Sequence, residues 1–183
     1  MSDGFDIESI YNDYHLDIYY FSLYFTNNKQ DAEDITQETF IKALRNLHTL
    51  RDQDRTKYWL LSIARHTAID HLRKRELRSY IPMVLEQMTP QDKSDSLDEH
   101  LLLKEHWEEI QYALLKIKPH YRSVLILRGI QEMTIKETAN ILNCTELKVR
   151  VDFHRAVKLL KKELHRLEGV KKDEKSRRFN SRG

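Results

Sequence analysis

The sequence predicts an all-α chain of two small helical domains joined by a flexible acidic linker, the second containing a helix-turn-helix. Three observations carry this. Glycine occurs 4 times and proline 3 times in 183 residues, and sheets and barrels need glycine-rich turns. Apolar residues recur at helical spacing along most of the chain. Pro82, Pro90 and the polar run Gln91 to Ser96 break that spacing once, near the middle. A composition of 40% hydrophobic and 33% charged residues supports a modest core and excludes a disordered chain. One cysteine excludes a disulfide framework and a multi-cysteine zinc site. No apolar run reaches the roughly 18 residues a membrane span needs. Met1 to Phe5 lacks a basic-then-apolar signal, so a cytoplasmic protein is expected.

The elements follow in order. Phe5 to Phe25 is a first helix, rich in Ile7, Ile10, Tyr11, Tyr14, Ile18, Phe21 and Tyr24, and ended by Asn27-Asn28. Gln30 to Leu47 is a second, with the apolar row Ala32, Ile35, Thr39, Ala43 and Leu47. His48 to Thr56 is a polar loop, and Lys57 to Arg78 a third helix. The predicted domains are 1–79 and 97–169, with a linker at 80–96. Leu97 to Ile117 is helical until Pro119 interrupts. Shorter helices lead to a long one, Glu146 to Glu168, stopped at Gly169. The basic tail, 170–183, is expected to be disordered.

Charge is organised although the net value is only +2. Residues 1–54 hold 4 basic and 11 acidic side chains, and 55–80 hold 7 and 2. Residues 81–118 hold 4 and 8, and 119–183 hold 16 and 8. Two basic blocks between acidic ones suggest two nucleic-acid-facing surfaces. Solvated faces are the plainer account.

Near the C-terminus, Thr134 followed by Glu137 is a capping box, so Ile135 to Leu142 is a short scaffold helix. Asn143-Cys144-Thr145 is a tight turn, and Asn tolerates a left-handed backbone. The next helix carries Val149, Phe153, Ala156, Val157, Leu160, Leu164 and Leu167 on one face. Val151, His154, Arg155, Lys158 and Lys162 fall opposite, with Lys148 and Arg150 at the N-terminal end. This pattern suits the major groove. A plain αα-hairpin with a solvated basic face has the same spacing. Val151 favours the groove, because an apolar residue among outward cations can touch a thymine methyl. Cys144 is read as a small packed residue.

In the second helix, Asp34, Gln37, Glu38, Ile41 and Arg45 lie opposite the apolar row. The acids complement the helix dipole; Ile41 beside them suits a protein contact. In the third helix, Trp59, Ile63, His66, Asp70 and Arg73 share one face, and Leu61, Ala64, Ala68 and Leu72 the other. Trp59 is read as core. Arg73, Lys74, Arg75 and Arg78 suit phosphates.

The run Asp31-Ala32-Glu33-Asp34-Ile35-Thr36-Gln37-Glu38-Thr39-Phe40 resembles the polymerase-binding segment of bacterial sigma factors. Tyr58 to Arg65, Ala68 to Arg73, the acidic linker and the helix-turn-helix follow in the matching order. With two domains, the chain resembles the extracytoplasmic-function group of the sigma-70 family over about residues 5–168. That resemblance implies a factor that binds core RNA polymerase, recognises the −35 and −10 promoter elements and promotes melting by strand capture, then leaves. It implies that Asp34, Gln37, Glu38 and Ile41 grip the coiled coil of the polymerase largest subunit. His48, Thr49, Arg51, Arg55, Lys57, His66 and Arg73 would hold the −10 strand, whose extruded bases need a pocket and whose phosphates need cations. Arg128, Lys148, Arg150, Val151, His154, Arg155 and Lys158 would contact the −35 element. The flap of the second largest subunit and an anti-sigma factor are implied as further partners, and the linker would thread near the RNA path. His66 stands where the family usually has Asn, His154 where it has an aromatic, and Asp152 where a basic residue is common. Asp152 is expected to pair with Arg155 at i+3.

Two other classes compete. A stand-alone helix-turn-helix regulator would leave the Asp34, Gln37 and Glu38 face idle. A metal enzyme would need ligand spacing that the nine histidines do not offer: His66 and His71 diverge on their helix, as do His100 and His106, and no His-Glu-x-x-His or phosphate loop occurs. No cofactor is expected.

Overall fold

A computed structural model of the chain describes the backbone of residues 6–50, 52–79 and 99–180, and the side chains of these except 78–79, 99–106 and 171–180. The predicted linker, 80–96, and Arg51 lie outside the described residues. All regular structure described is helical.

Helix α1, Ile7–Thr26, opens on Asp6, whose carboxylate accepts from the Glu8 and Ser9 amides, and closes on Asn27 at φ 52°. Asn28 then caps α2, Lys29–Asn46, by accepting from the Asp31 amide. The Asn27-Asn28 pair therefore ends one helix and starts the next. The expected polar loop is two short 3₁₀ turns, Leu47–Thr49 and Gln53–Arg55. Helix α3, Thr56–Ser79, follows directly.

In the second half α4, Glu99–Lys116, meets α5, Pro119–Leu125, with Pro119 in the first turn where its missing N–H costs nothing. A π-helical turn, Ile126–Ile130, continues α5. The chain reverses through Glu132 at φ 54°, closed by the Met133 amide donating to Leu127 O at 2.9 Å. Helix α6 spans Ile135–Leu142 and α7 spans Glu146–Asn180.

The α7 boundary is a correction. The helix runs through Gly169 to Asn180 instead of stopping, so the backbone of 170–180 is helical and not disordered. No described glycine adopts positive φ. A glycine inside a helix costs only about 1 kcal/mol relative to Ala, and the good helix formers after it outweigh that.

The two halves do not stand apart. One core cluster joins Ile18, Phe21 and Phe25 of α1 and Leu60 and Leu61 of α3 to Ile126, Leu127, Met133 and Ile141 from the second half. A smaller cluster of Leu114, Ile117, Leu125 and Ala156 holds α4, α5 and α7 together. Arg122 is buried across the junction. Its guanidinium donates to Leu114 O, Leu115 O and Ile117 O at the end of α4 and to Phe25 O at the end of α1, at 2.6 to 3.1 Å. It also lies over the Phe25 ring. Burial pushes its pKa down to about 10, so it stays charged at neutral pH, facing the negative ends of two helices.

Candidate nucleic-acid interface

The capping box is formed: the Glu137 amide donates to Thr134 Oγ1 at 3.2 Å and the Thr134 amide to Glu137 Oε2 at 2.6 Å. Asn143 takes the left-handed conformation at φ 49°. Cys144 N–H returns to Ala139 O at 3.0 Å, and Thr145 Oγ1 caps α7 by accepting from the Lys148 amide at 3.2 Å. The capping box fixes where α6 begins, and the Asn143 turn with the Thr145 cap sets the angle between α6 and α7.

The register of α7 follows from its apolar stripe. Val149 and Ala156 are fully buried; Phe153, Val157, Leu160, Leu164 and Leu167 are half-buried. Arg150, Val151, His154, Arg155 and Lys158 are therefore brought together on the outward face, all exposed. Leu147, 71% exposed, belongs to the same face, one turn before Val151. Its i, i+4 spacing from Val151 was the available signal, and the sequence reading missed it.

Arg128 stands apart. It is half-buried, donates to Met133 O in the turn before α6, and stacks over the Phe153 ring at 5.6 Å. Asp152 differs from expectation. It is buried and does not pair with Arg155. His120 Nε2 reaches its carboxylate at 2.7 Å and Lys148 Nζ at 2.9 Å. Residue 152 follows the buried register of Val149 and Ala156, so its carboxylate turns inward toward α5 while Arg155 points out. Burial works to raise the Asp152 carboxyl, but hydrogen bonds and charge from His120 and Lys148 outweigh it and hold the group below its usual range. The same bond raises the Lys148 ammonium. Cys144 is half-buried, and burial pushes its thiol up, in keeping with a packing role.

On α2, Asp34, Gln37 and Ile41 are exposed, Ile41 by 51%. Glu38 is half-buried and paired with Lys42 at 2.8 Å, a hydrogen bond that lowers its carboxyl. Leu44, 55% exposed, extends the apolar part of this face one turn beyond Ile41 and was also missed. Lys42 in turn donates to Thr67 Oγ1 at 3.1 Å, which fixes α2 against α3.

The strand-binding candidates lie on the 3₁₀ turns and α3. His48, Thr49, Arg55, His66 and Arg73 are exposed. Arg55 pairs with Asp52 at 3.3 Å, Arg73 with Asp70 at 3.6 Å, and Lys57 with Asp17 at 2.9 Å. His66 Nδ1 lies 2.7 Å from Ser62 O, leaving Nε2 outward. Arg75 of the basic cluster is held on Asp31 at 3.0 Å beside His71. Among the described residues no group of three or more His, Cys, Asp or Glu could hold a metal ion, and no helix is long and apolar enough to cross a membrane.

Comparison with known proteins gives matches to both halves of the chain. The model of sigma-70 region 2 matches residues 10–78, and that of sigma-70 region 4 matches residues 107–160. The chain is 38% identical to the ECF RNA polymerase sigma factor SigX of Bacillus subtilis, covering 86% of this chain and 83% of SigX. It is 33% identical to the RNA polymerase sigma factor YlaC of the same organism, covering 86% and 91%. Among solved structures, the sigma factor RpoE in complex with the anti-sigma factor NepR from Bartonella quintana shares the fold, with TM-score 0.65 at 21% identity over 86% of this chain and 96% of that one.

Proposed function

The chain belongs to the extracytoplasmic-function group of the sigma-70 family, and on that premise we propose how its residues divide the work of promoter recognition. It is a transcription initiation factor and not an enzyme. Its second half reads the −35 element through Lys148, Arg150, Val151, His154, Arg155 and Lys158 in the major groove. Arg128 supports them from behind by fixing the turn before α6. In the first half, Asp34, Gln37, Glu38 and Ile41, joined by Leu44, form the surface for the coiled coil of the polymerase largest subunit. An apolar centre beside acidic groups suits that contact. His48, Thr49, Arg51, Arg55, Lys57, His66 and Arg73 hold the unpaired −10 strand. Capturing the open strand shifts the equilibrium toward melted DNA, so the chain needs no hydrolysis of its own. The flap of the second largest subunit seats the second half. An anti-sigma factor, the partner class named for one solved neighbour, would cover exposed Ile41 and the basic faces.

The observation that carries this reading is the outward face of α7, where four basic side chains and Val151 are exposed after a fixed turn. Run-off transcription on fragmented genomic DNA with purified core RNA polymerase tests it. Discrete transcripts that depend on the chain are expected, and their aligned starts would show both elements. Duplex binding without transcripts would instead favour a stand-alone regulator.

A further inference from the structure

We propose that His120 and Asp152 are positioning residues for the reading of duplex DNA: together they hold the Lys148 ammonium at a fixed place on the edge of the reading face, without touching DNA themselves. This deepens the initiation-factor reading above and rests on it.

Lys148 is fixed at both ends. Its amide donates to Thr145 Oγ1 at 3.2 Å in the first turn of α7. Its ammonium donates to Asp152 Oδ2 at 2.9 Å, one turn further on. His120 Nε2 of α5 donates to the same oxygen at 2.7 Å. An ionised carboxylate only accepts, so the three side chains form one charge-assisted cluster. His120 is itself held. It follows Pro119 at the start of α5 and meets the Tyr121 ring edge to face at 5.4 Å. Arg122, on the same helix, anchors α5 to carbonyls at the end of α4. Support therefore runs from α5 through Asp152 to a side chain at the tip of the reading helix.

Stability alone accounts poorly for this cluster. The Asp152 side chain is only 5% exposed. It occupies the buried register of Val149 and Ala156, where an apolar residue would pack without losing hydration. Buried ion pairs often gain nothing over such a residue. A lysine in a first turn also opposes the helix dipole. The arrangement does suit a donor held ready for a ligand.

The Lys148 side chain remains 53% exposed. Asp152 takes one of its three N–H donors, which leaves two for a phosphate or a base edge. Lys148, Val151 and Arg155 are spaced i, i+3 and i+7, so they share one edge of the outward face. An unanchored lysine loses its rotamer freedom on meeting DNA. One held by Asp152 has lost it on folding, and binding is favoured by that much. Arg150, on the same outward face, has no carboxylate anchor among the described residues and serves as the internal control.

Double-mutant cycles on the full-length chain test this. Binding is measured to a duplex carrying the upstream element of a promoter the native chain uses, and to a scrambled duplex. Lys148→Ala should weaken upstream-duplex binding about tenfold in the native background. In the Asp152→Asn background, where the ammonium has lost its anchor, the same change should cost less than about twofold. His120→Ala should reduce the Lys148 effect to about threefold. His120→Gln, whose amide N–H can take the place of Nε2, should restore it. Arg150→Ala should have the same effect, within about twofold, in every background. A Lys148 effect that is absent from the native chain, or unchanged by Asp152→Asn, would overturn the proposal. So would an Arg150 effect that falls alongside it, because a general loosening of α7 diminishes both. If Asp152→Asn does not fold, the His120 variants, at a partly exposed position, decide the question. A native chain that binds the two duplexes equally would instead defeat the initiation-factor reading, and the proposal with it.

Discussion

In the first half, cations near the proposed strand-binding surface sit beside carboxylates: Arg55 by Asp52, Lys57 by Asp17, Arg73 by Asp70 and Arg75 by Asp31. In the second, Arg150, Arg155 and Lys158 of the reading helix have no carboxylate partner among the described residues, and the one acid in that stretch, Asp152, is turned inward on His120 and Lys148. The contrast suits two tasks. A free cationic face attracts duplex DNA at long range and should make binding steeply salt-dependent. A neutralised surface attracts DNA weakly; with the proposed polymerase contact on α2 in place, phosphates can replace the carboxylates. On the proposed assignment, the first half would act within a complex and the second would find duplex unaided.

The comparison can be broken at several points. The largest effect is expected from replacing Asp34, Gln37 and Glu38 together by Ala. Central interface residues contribute about 2 kcal/mol each, so polymerase binding should fall about a thousandfold or more, while gel-shift affinity for duplex DNA stays unchanged. A fall in both would erase the division of labour.

Next comes Ile126→Ala in the shared core, expected to cost about 2–5 kcal/mol of stability. Trp59 and Trp107 are the chain's 2 tryptophans, one in each half, so single Trp→Phe variants report each half's fluorescence in urea. Coincident midpoints shifting together are expected; a shift only in the Trp107 signal would mean the halves fold independently.

Arg150→Ala and Arg155→Ala should each weaken duplex binding by about 1–3 kcal/mol, and a phosphate contact would also lower the salt slope by about one. Titrations at several salt concentrations separate base from phosphate contacts. A variant unchanged at every salt would remove its residue from the reading face.

The smallest effect is at Asp152. Its carboxyl is held below the usual value of 3.8 in the fold, so the unfolded chain takes up the proton first as pH falls. Its contribution is full above about pH 4 and is lost as pH drops through the lowered folded value. Asp152→Asn should cost about 1–2 kcal/mol at neutral pH, discounted because His120 and Lys148 remain partly solvated, and the gap from the native chain should close below that pH. Thermal melts at pH 7 and pH 3 measure both.

Much of the fold was legible because its signals are local. The Thr134–Glu137 box, the helix end at Asn27-Asn28, the tight turn at Asn143, the break at Pro119 and the α7 stripe each act within one or two turns, where side-chain chemistry dictates backbone geometry. The same locality put Arg150, Val151, His154, Arg155 and Lys158 on one face. Asp152 was misassigned because i+3 spacing offered Arg155; the Lys148 pair at i, i+4 was legible, but His120, 32 residues away, was not. Gly169 misled because a stop signal weighs about 1 kcal/mol against the cooperativity of a long helix.

The sequence by itself determined the class of fold, where most helices begin and end, and which faces are basic, acidic or apolar. The tertiary structure alone decided which charges remain available and how the halves meet. Nothing in the spacing around Arg122 marks it as buried. Only packing brings Phe25 O, 97 residues away, to its guanidinium, and only packing sets Tyr58 against Glu137. Such pairings are set by the three-dimensional fit of whole apolar faces, and no periodicity along the chain encodes which face meets which.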